Sequence, residues 1–180
     1  MDNLDQPKKH KRLRAWMFTL PITVLLLIAS AFQWYHRQVD MHEDAELVTA
    51  HALGAALSLY LTDNHDTLPP ASNWETNLER LAGNPPLKIP GAPLHDGAGF
   101  AMNANAAAVP LSKLVAPGKF IFAYESTKAV FNTIGSFQDA AGLHGRQLPL
   151  VIFADGSVAR LSPQEFQEAI AASNAQIKEK

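Results

Sequence analysis

Residues 15–35 read AWMFTLPITVLLLIASAFQWY, with no charged side chain anywhere in the run. About 20 such residues is the length that carries a helix across the hydrocarbon layer of a bilayer. The run therefore predicts a transmembrane signal anchor over 15–35. Trp16 at one end and the Trp34-Tyr35 pair at the other fall where amphipathic rings favour the headgroup level. A basic segment over 1–14 precedes it, with Lys8, Lys9, Lys11, Arg12 and Arg14 against Asp2 and Asp5. That bias places the N-terminus in the cytoplasm and the remainder, 36–180, outside a bacterial inner membrane. A cleaved secretory signal is the competing reading; the span is longer than a usual signal core, and SAFQWY is a poor small-residue cleavage site. Pro21 sits in the first turns of the span, where its missing N–H costs least.

Beyond Tyr35 the chain holds 10 Lys and Arg against 15 Asp and Glu. It has no general basic field, which disfavours a nucleic-acid partner. With 0 cysteines, thiol catalysis, disulfides and thiolate metal sites are excluded.

The outer part is predicted to open with a helix over 36–63. Leu47, Ala50, Leu53, Gly54, Leu57, Tyr60 and Leu61 form its apolar stripe. TDNHDTLPP ends it, since Asp63, Asn64 and Asp66 favour turns and Pro69-Pro70 cannot continue a helix. Ser72 and Glu75 form a capping-box pattern ahead of a short helix, 73–82. The Pro/Gly-rich stretch 84–99 is a loop, and the segment from Phe100 to Lys119 is open between short helix and loop. FIFAYE predicts a strand over 120–125, and LPLVIFADGSVARL predicts a hairpin over 150–161. Asp155-Gly156 at its centre suits a type I′ turn, which pairs Phe153 with Val158 and puts Leu150, Ile152, Ala154, Ala159 and Leu161 on one face. The Leu53-Leu57-Leu61 stripe is the expected partner of that face. A second capping box, Ser162 with Glu165, opens a terminal helix over 163–178. The expected fold class is α+β, a long transmembrane-plus-stalk helix packed on a small antiparallel sheet with a C-terminal helix.

Two groups of residues are candidates for chemistry. Asp63, His65 and Asp66 could surround a divalent cation, although a helix-ending turn recruits the same residue types. His144 with Asp155, helped by Glu125, could supply acid and base. No nucleophile-elbow, zinc-protease or phosphate-loop pattern accompanies them, so no cofactor and no reaction type is specified. The bland reading makes Asp155-Gly156 a turn and His144 a loop residue.

Taken in order, four stretches resemble the prepilin-type, processing-associated pseudopilin-like family named for a His, nine residues and then Asp-Gly, a relative of type IV pilins and type II secretion pseudopilins. MFTLPITVLLLIA, with Phe18, Thr19 and Leu20, resembles the start of its apolar helix. LGAALSLYLTDNHDTLPP, with Asp63, Asn64 and Pro69, resembles its stalk end. FAMNANAAAVPLSKLVAPGKFIFAYES resembles its middle, with Met102, Asn103 and Glu125. FADGSVARLSPQEF resembles its closing hairpin and helix, with Asp155 and Gly156. The resemblance implies a pilin-like head and a non-enzymatic protein that contacts the membrane and other pilin-like subunits or secretion machinery. The chain departs from the pattern at several places. Ten residues, 145–154, separate His144 from Asp155, and Ser157 follows Asp-Gly where the family often has His. Met17 and Ile22 stand where prepilin peptidase sites have Gly and Glu. The chain is therefore expected to escape cleavage before Phe18.

Overall fold

The computed structural model describes residues 8–82, 99–126, 132–140 and 148–178, apart from the side chains at 8–23, 38–45 and 177–178. The chain divides into two units, Met1–Met41 and His42–Lys180. Helix α1 spans Lys8–Asp63. Among the described residues, no helix is long and apolar enough to cross a membrane, so the expected long transmembrane helix is not supported. Residues 15–23 of the expected span, with Phe18, Thr19 and Leu20, lie outside the described side chains.

In the second unit, α2 is Trp74–Leu81 and α3 is Pro163–Lys178. The strands are β1 (Gly99–Asn103), β2 (Ile121–Ser126), β3 (Ile134–Gly135), β4 (Leu150–Phe153) and β5 (Val158–Arg160). They form one sheet in the order β3-β1-β2-β4-β5. The expected antiparallel sheet is corrected to a mixed one, because β3 pairs with β1 in parallel, Met102 opposite Ile134. Both sides of β2 are occupied, by β1 and β4. The strand that follows β2 therefore cannot return beside it as a hairpin, and takes the far edge of β1.

Apolar side chains cover both faces of the sheet. On one face Ala50, Leu53, Leu57 and Leu61 of α1 and Trp74 and Leu78 of α2 pack with Met102, Phe122, Leu150 and Ile152. This is the stripe read from the 3.6-residue period, and the hairpin is its partner. On the other face Phe166, Ala169 and Ile170 of α3 pack with Ile121, Tyr124, Val151 and Phe153. A register irregularity between Ile121 and Ala123 puts Phe122 and Ala123 together on the first face, breaking the alternation expected of FIFAYE. Ser173 of α3 supports that break, its Oγ accepting from the Ile121 N–H at 2.8 Å.

The two capping boxes come out differently. At α3 both halves form: the Ser162 N–H donates to Glu165 Oε2 at 2.7 Å and the Glu165 N–H to Ser162 Oγ at 3.3 Å. Those bonds from Ser162 hold the Glu165 carboxyl below the usual carboxylate range. At α2 the N-cap is Asn73, without a side-chain cap bond, and Glu75 turns away from Ser72 toward a distant segment.

Candidate functional site

The most constrained junction in the head is the tip of the β4–β5 hairpin. Its register differs by one residue from the type I′ expectation: Ile152 faces Val158, Val151 faces Ala159 and Leu150 faces Arg160. Phe153 and Ser157 close the loop, the Phe153 N–H donating to the Ser157 carbonyl at 2.8 Å, which leaves three residues between them. Of these three, Gly156 alone has a positive φ, +85°. This is the three-residue turn with a left-handed glycine, not the two-residue turn. The reason lies in Asp155. Its Oδ1 accepts from the Ser157 N–H at 2.9 Å and the Ser157 hydroxyl at 2.6 Å, which holds the turn one residue longer. Because side chains alternate, the shift moves Val158 to the α1 face and Leu161 to the α3 face.

Three pieces of chain converge on that tip. The Ala154 N–H donates to the Phe120 carbonyl at 2.9 Å. The Pro117–Lys119 turn comes so close that a Cβ added to Gly118 would lie 2.6 Å from Asp155 Oδ2. On α1, Gly54 lets the helix backbone meet the turn directly, and a Cβ there would be 2.3 Å from the Gly156 carbonyl oxygen. A glycine in LGAAL, amid strong helix formers, is the sequence signal for such a close approach.

The other predicted residues fall into structural roles. His65 and Asp66 both adopt left-handed conformations, φ 52° and 56°. Asn64 Nδ2 donates to the Tyr60 carbonyl at 2.8 Å and the Asp66 N–H to that of Leu61 at 2.9 Å, so the turn closes the C-terminus of α1. The chain then lies along the segment after β1: the Leu111 N–H donates to Asp66 O and the Ala108 N–H to Pro69 O. Asn103 is buried, with Nδ2 donating to the Ile121 carbonyl at 2.8 Å, and Met102 is wholly buried beside it. Glu125 is buried on β2 and accepts from the Leu150 N–H at 3.3 Å. His144 lies outside the described residues. Among the described residues, no three His, Asp or Glu side chains are grouped to hold a metal ion.

Two buried carboxylates were not among the candidates for chemistry in the sequence. Glu46 Oε2 of α1 lies 3.7 Å from the Arg160 guanidinium on β5. Glu75 accepts from the Asn132 N–H at 2.7 Å, while Asn132 Oδ1 accepts from the Glu75 N–H at 2.9 Å and the Thr76 N–H at 3.3 Å. Asn132 thus caps α2 from 57 residues away. Burial pushes the Glu75 carboxyl up to about 7, against the lowering effect of the Asn132 N–H, and Glu79 adds to the rise. No local pattern could reveal this pair.

An open cleft of about 310 Å³ between the segment after β3 and α3 is lined by Ser136, Phe137, Gln138, Gln167 and Ile170, with no ionisable group. It offers shape and amide groups but no acid or base. Among the described residues, Asn64, Asp155, Glu165, Glu75 and Glu125 are thus tied into turns, caps and strand support. No protein-family model, curated protein or solved structure matches this chain.

Proposed function

We propose that this chain is a pseudopilin-like envelope protein that works by protein–protein contact, kept at the bacterial inner membrane with its head on the outer side. The observation that carries the reading is the apolar surface of α1 in the first unit. Val24, Leu25, Leu26, Leu27 and Ile28 are consecutive and 46–65% exposed, and Phe32, Trp34 and Tyr35 are also exposed. Five consecutive residues at 100° each turn through more than a full circle, so every side of that stretch is apolar. A helix that is apolar all round is covered by something in its working state, and a soluble monomer rarely displays a patch of this kind. The charge-poor run, the basic residues ahead of it and the four family-like stretches favour lipid and other pilin-like subunits as the cover.

In the head, α1 also leaves Val48 and Leu59 exposed at 69% and 53%, on a surface available to partners. The turn roles of His65, Asp66 and Asp155 speak for contact as the activity. The test is site-specific photocrosslinking in cells with a benzophenone side chain at Phe32. Discrete adducts with pilin-like or secretion-machinery proteins are expected, together with an intact N-terminus lacking cleavage before Phe18. A chain that forms no adducts from Phe32 would overturn the contact reading.

A further inference from the structure

We propose that the clasp between Glu75 and Asn132 is a proton-operated latch on the sheet's parallel edge, holding β3 against β1 when Glu75 is neutral and loosening it when Glu75 is ionised. This goes beyond the contact reading and does not depend on it. Five hydrogen bonds join α2 to the residues just ahead of β3, four of them through Asn132. Three of those four are the exchange between Asn132 and the Glu75 and Thr76 backbone and side chains already described; the fourth runs from Asn132 Nδ2 to Thr76 Oγ1 at 3.1 Å. Next to them Trp74 Nε1 donates to the Thr133 carbonyl at 3.1 Å, and that carbonyl also accepts from the Met102 N–H of β1 at 2.9 Å. The Thr133 carbonyl therefore belongs to both the clasp and the strand pairing.

Ahead of β3 the clasp ties the segment to α2, while beyond it the Tyr124 hydroxyl donates to the Ser136 carbonyl at 2.7 Å and Ser126 Oγ to the Asp139 carbonyl at 2.9 Å. β3 is two residues long and, among the described residues, pairs with β1. Asn132 itself is held in a left-handed conformation, φ 58°, which the clasp must maintain. Without the clasp, a two-residue parallel pairing is left to fix the residues on the α2 side of β3, and it is short for the task.

Glu75 is 8% exposed, and the acceptor role of its carboxyl survives protonation because one oxygen remains unprotonated. Burial is what resists ionisation here, and it outweighs the Asn132 N–H, which favours the charged form. Of charged neighbours, Glu79 acts on Glu75 from one turn along α2 and repels it. The facing segment supplies Asn132 and Thr133, neither ionisable, and Phe122 packs edge-on against Trp74. Lys128 lies outside the described residues. The carboxyl stands at about 7 in place, above its ordinary 4.5. The closed state therefore keeps a proton that an opened one releases. The latch is complete on the acid side and weakens as pH rises through neutrality.

Native-state hydrogen exchange on the full chain tests this, read at the Met102 and Asn132 amides with the Phe153 amide of the distant hairpin as reference. After correction for intrinsic exchange, protection at Met102 and Asn132 should fall roughly tenfold between about pH 5.5 and pH 8 while Phe153 holds steady. In Glu75→Gln, which stays neutral and keeps an acceptor, both amides should show no such pH dependence. Equal pH dependence in Glu75→Gln, or none in the unaltered chain, would overturn the latch. So would a Glu75→Gln chain that fails to fold, because the neutral side chain is the one the closed state accepts. Carbon NMR of the Glu75 carboxyl gives an independent reading: a midpoint near 7 supports the latch, and one near 4.5 contradicts it.

Discussion

Replacing Gly54 with alanine sets two physical effects against each other, and the structure says which one wins. An added Cβ would lie 2.3 Å from the Gly156 carbonyl oxygen, 3.1 Å from Val158 Cγ2 and 3.3 Å from the Gly156 carbonyl carbon. Carbon–oxygen contacts settle near about 3.3 Å, so the hairpin must retreat by about 1 Å. The nearest atom is backbone and has no rotamer to escape into. Retreat also opens the packing of Leu150 and Ile152 on Leu53 and Leu57. Overpacking of this sort costs about 1–3 kcal/mol, and the loosened core adds to it. In the other direction, alanine is better than glycine inside a helix by about 1 kcal/mol. The net expectation is a loss of about 1–3 kcal/mol. For a unit of this size that lowers the melting temperature by roughly 4–10 °C. The assay is thermal unfolding of the full chain in mild detergent followed by circular dichroism, with Ala55→Gly as the reference. Ala55 is exposed one residue further on, so its replacement should show propensity alone, a loss of about 1 kcal/mol. A Gly54→Ala chain that melts at the same temperature or higher would refute the close approach of helix and turn.

Further outcomes follow from the same geometry. Glu75→Gln should stabilise the fold at pH 8.5 and leave it unchanged at pH 4, because the raised carboxyl contributes its stability below 4.5 and loses it as pH rises through about 7. After allowing for solvent screening at the edge of the head, the gain is about 1–2 kcal/mol in chemical denaturation. Gly156→Ala meets both a φ of +85° and the Ser58 Oγ beneath it, and should cost at least about 1–2 kcal/mol. Ser162→Ala removes one half of the α3 capping box, a loss of about 1 kcal/mol by urea unfolding. Because the Glu165 carboxyl is lowered, that capping is present above the ordinary carboxylate range and fades as pH falls through the lowered value. Finally, Asp66→Gly should raise the melting temperature slightly, since φ 56° suits glycine, and added calcium or zinc should leave it unmoved. A cation-dependent rise abolished in Asp66→Gly would instead make that turn a metal site.

The α1 face and the hairpin partner were legible because burial imposes a period: Leu53, Leu57 and Leu61 repeat at helical spacing and meet Leu150 and Ile152. The α3 start was legible because Ser162 and Glu165 satisfy each other locally. Two of the misread features depend on partners far along the chain, and a third on a bond within one turn. GFAMN gives little strand signal, its alanine and asparagine being poor strand formers, yet it lies between β2 and β3 with four of its five residues buried. Ser72 and Glu75 have the spacing of a capping box, but Asn132 supplies the cap and draws Glu75 to itself. The one-residue error in the hairpin came from reading Asp-Gly as a two-residue turn, when the bonds from Ser157 to Asp155 lengthen it. Of the candidate site, the residue types Asp, Asn and His were legible, while the closure of the helix end by Asn64 and the Asp66 N–H is a matter of conformation. His65 and Asp66 both at positive φ is a three-dimensional fact that no spacing reports.

In the proposed working state the apolar stretch of α1 is covered. The most direct measurement is fractionation of cells producing the full chain beside a Leu26→Glu, Ile28→Glu variant. Both residues are more than half exposed, so the head should melt identically in the two chains. The account predicts the unaltered chain in the membrane fraction, unreleased by high salt, and the variant in the soluble fraction. An unaltered chain recovered as a soluble monomer would contradict it.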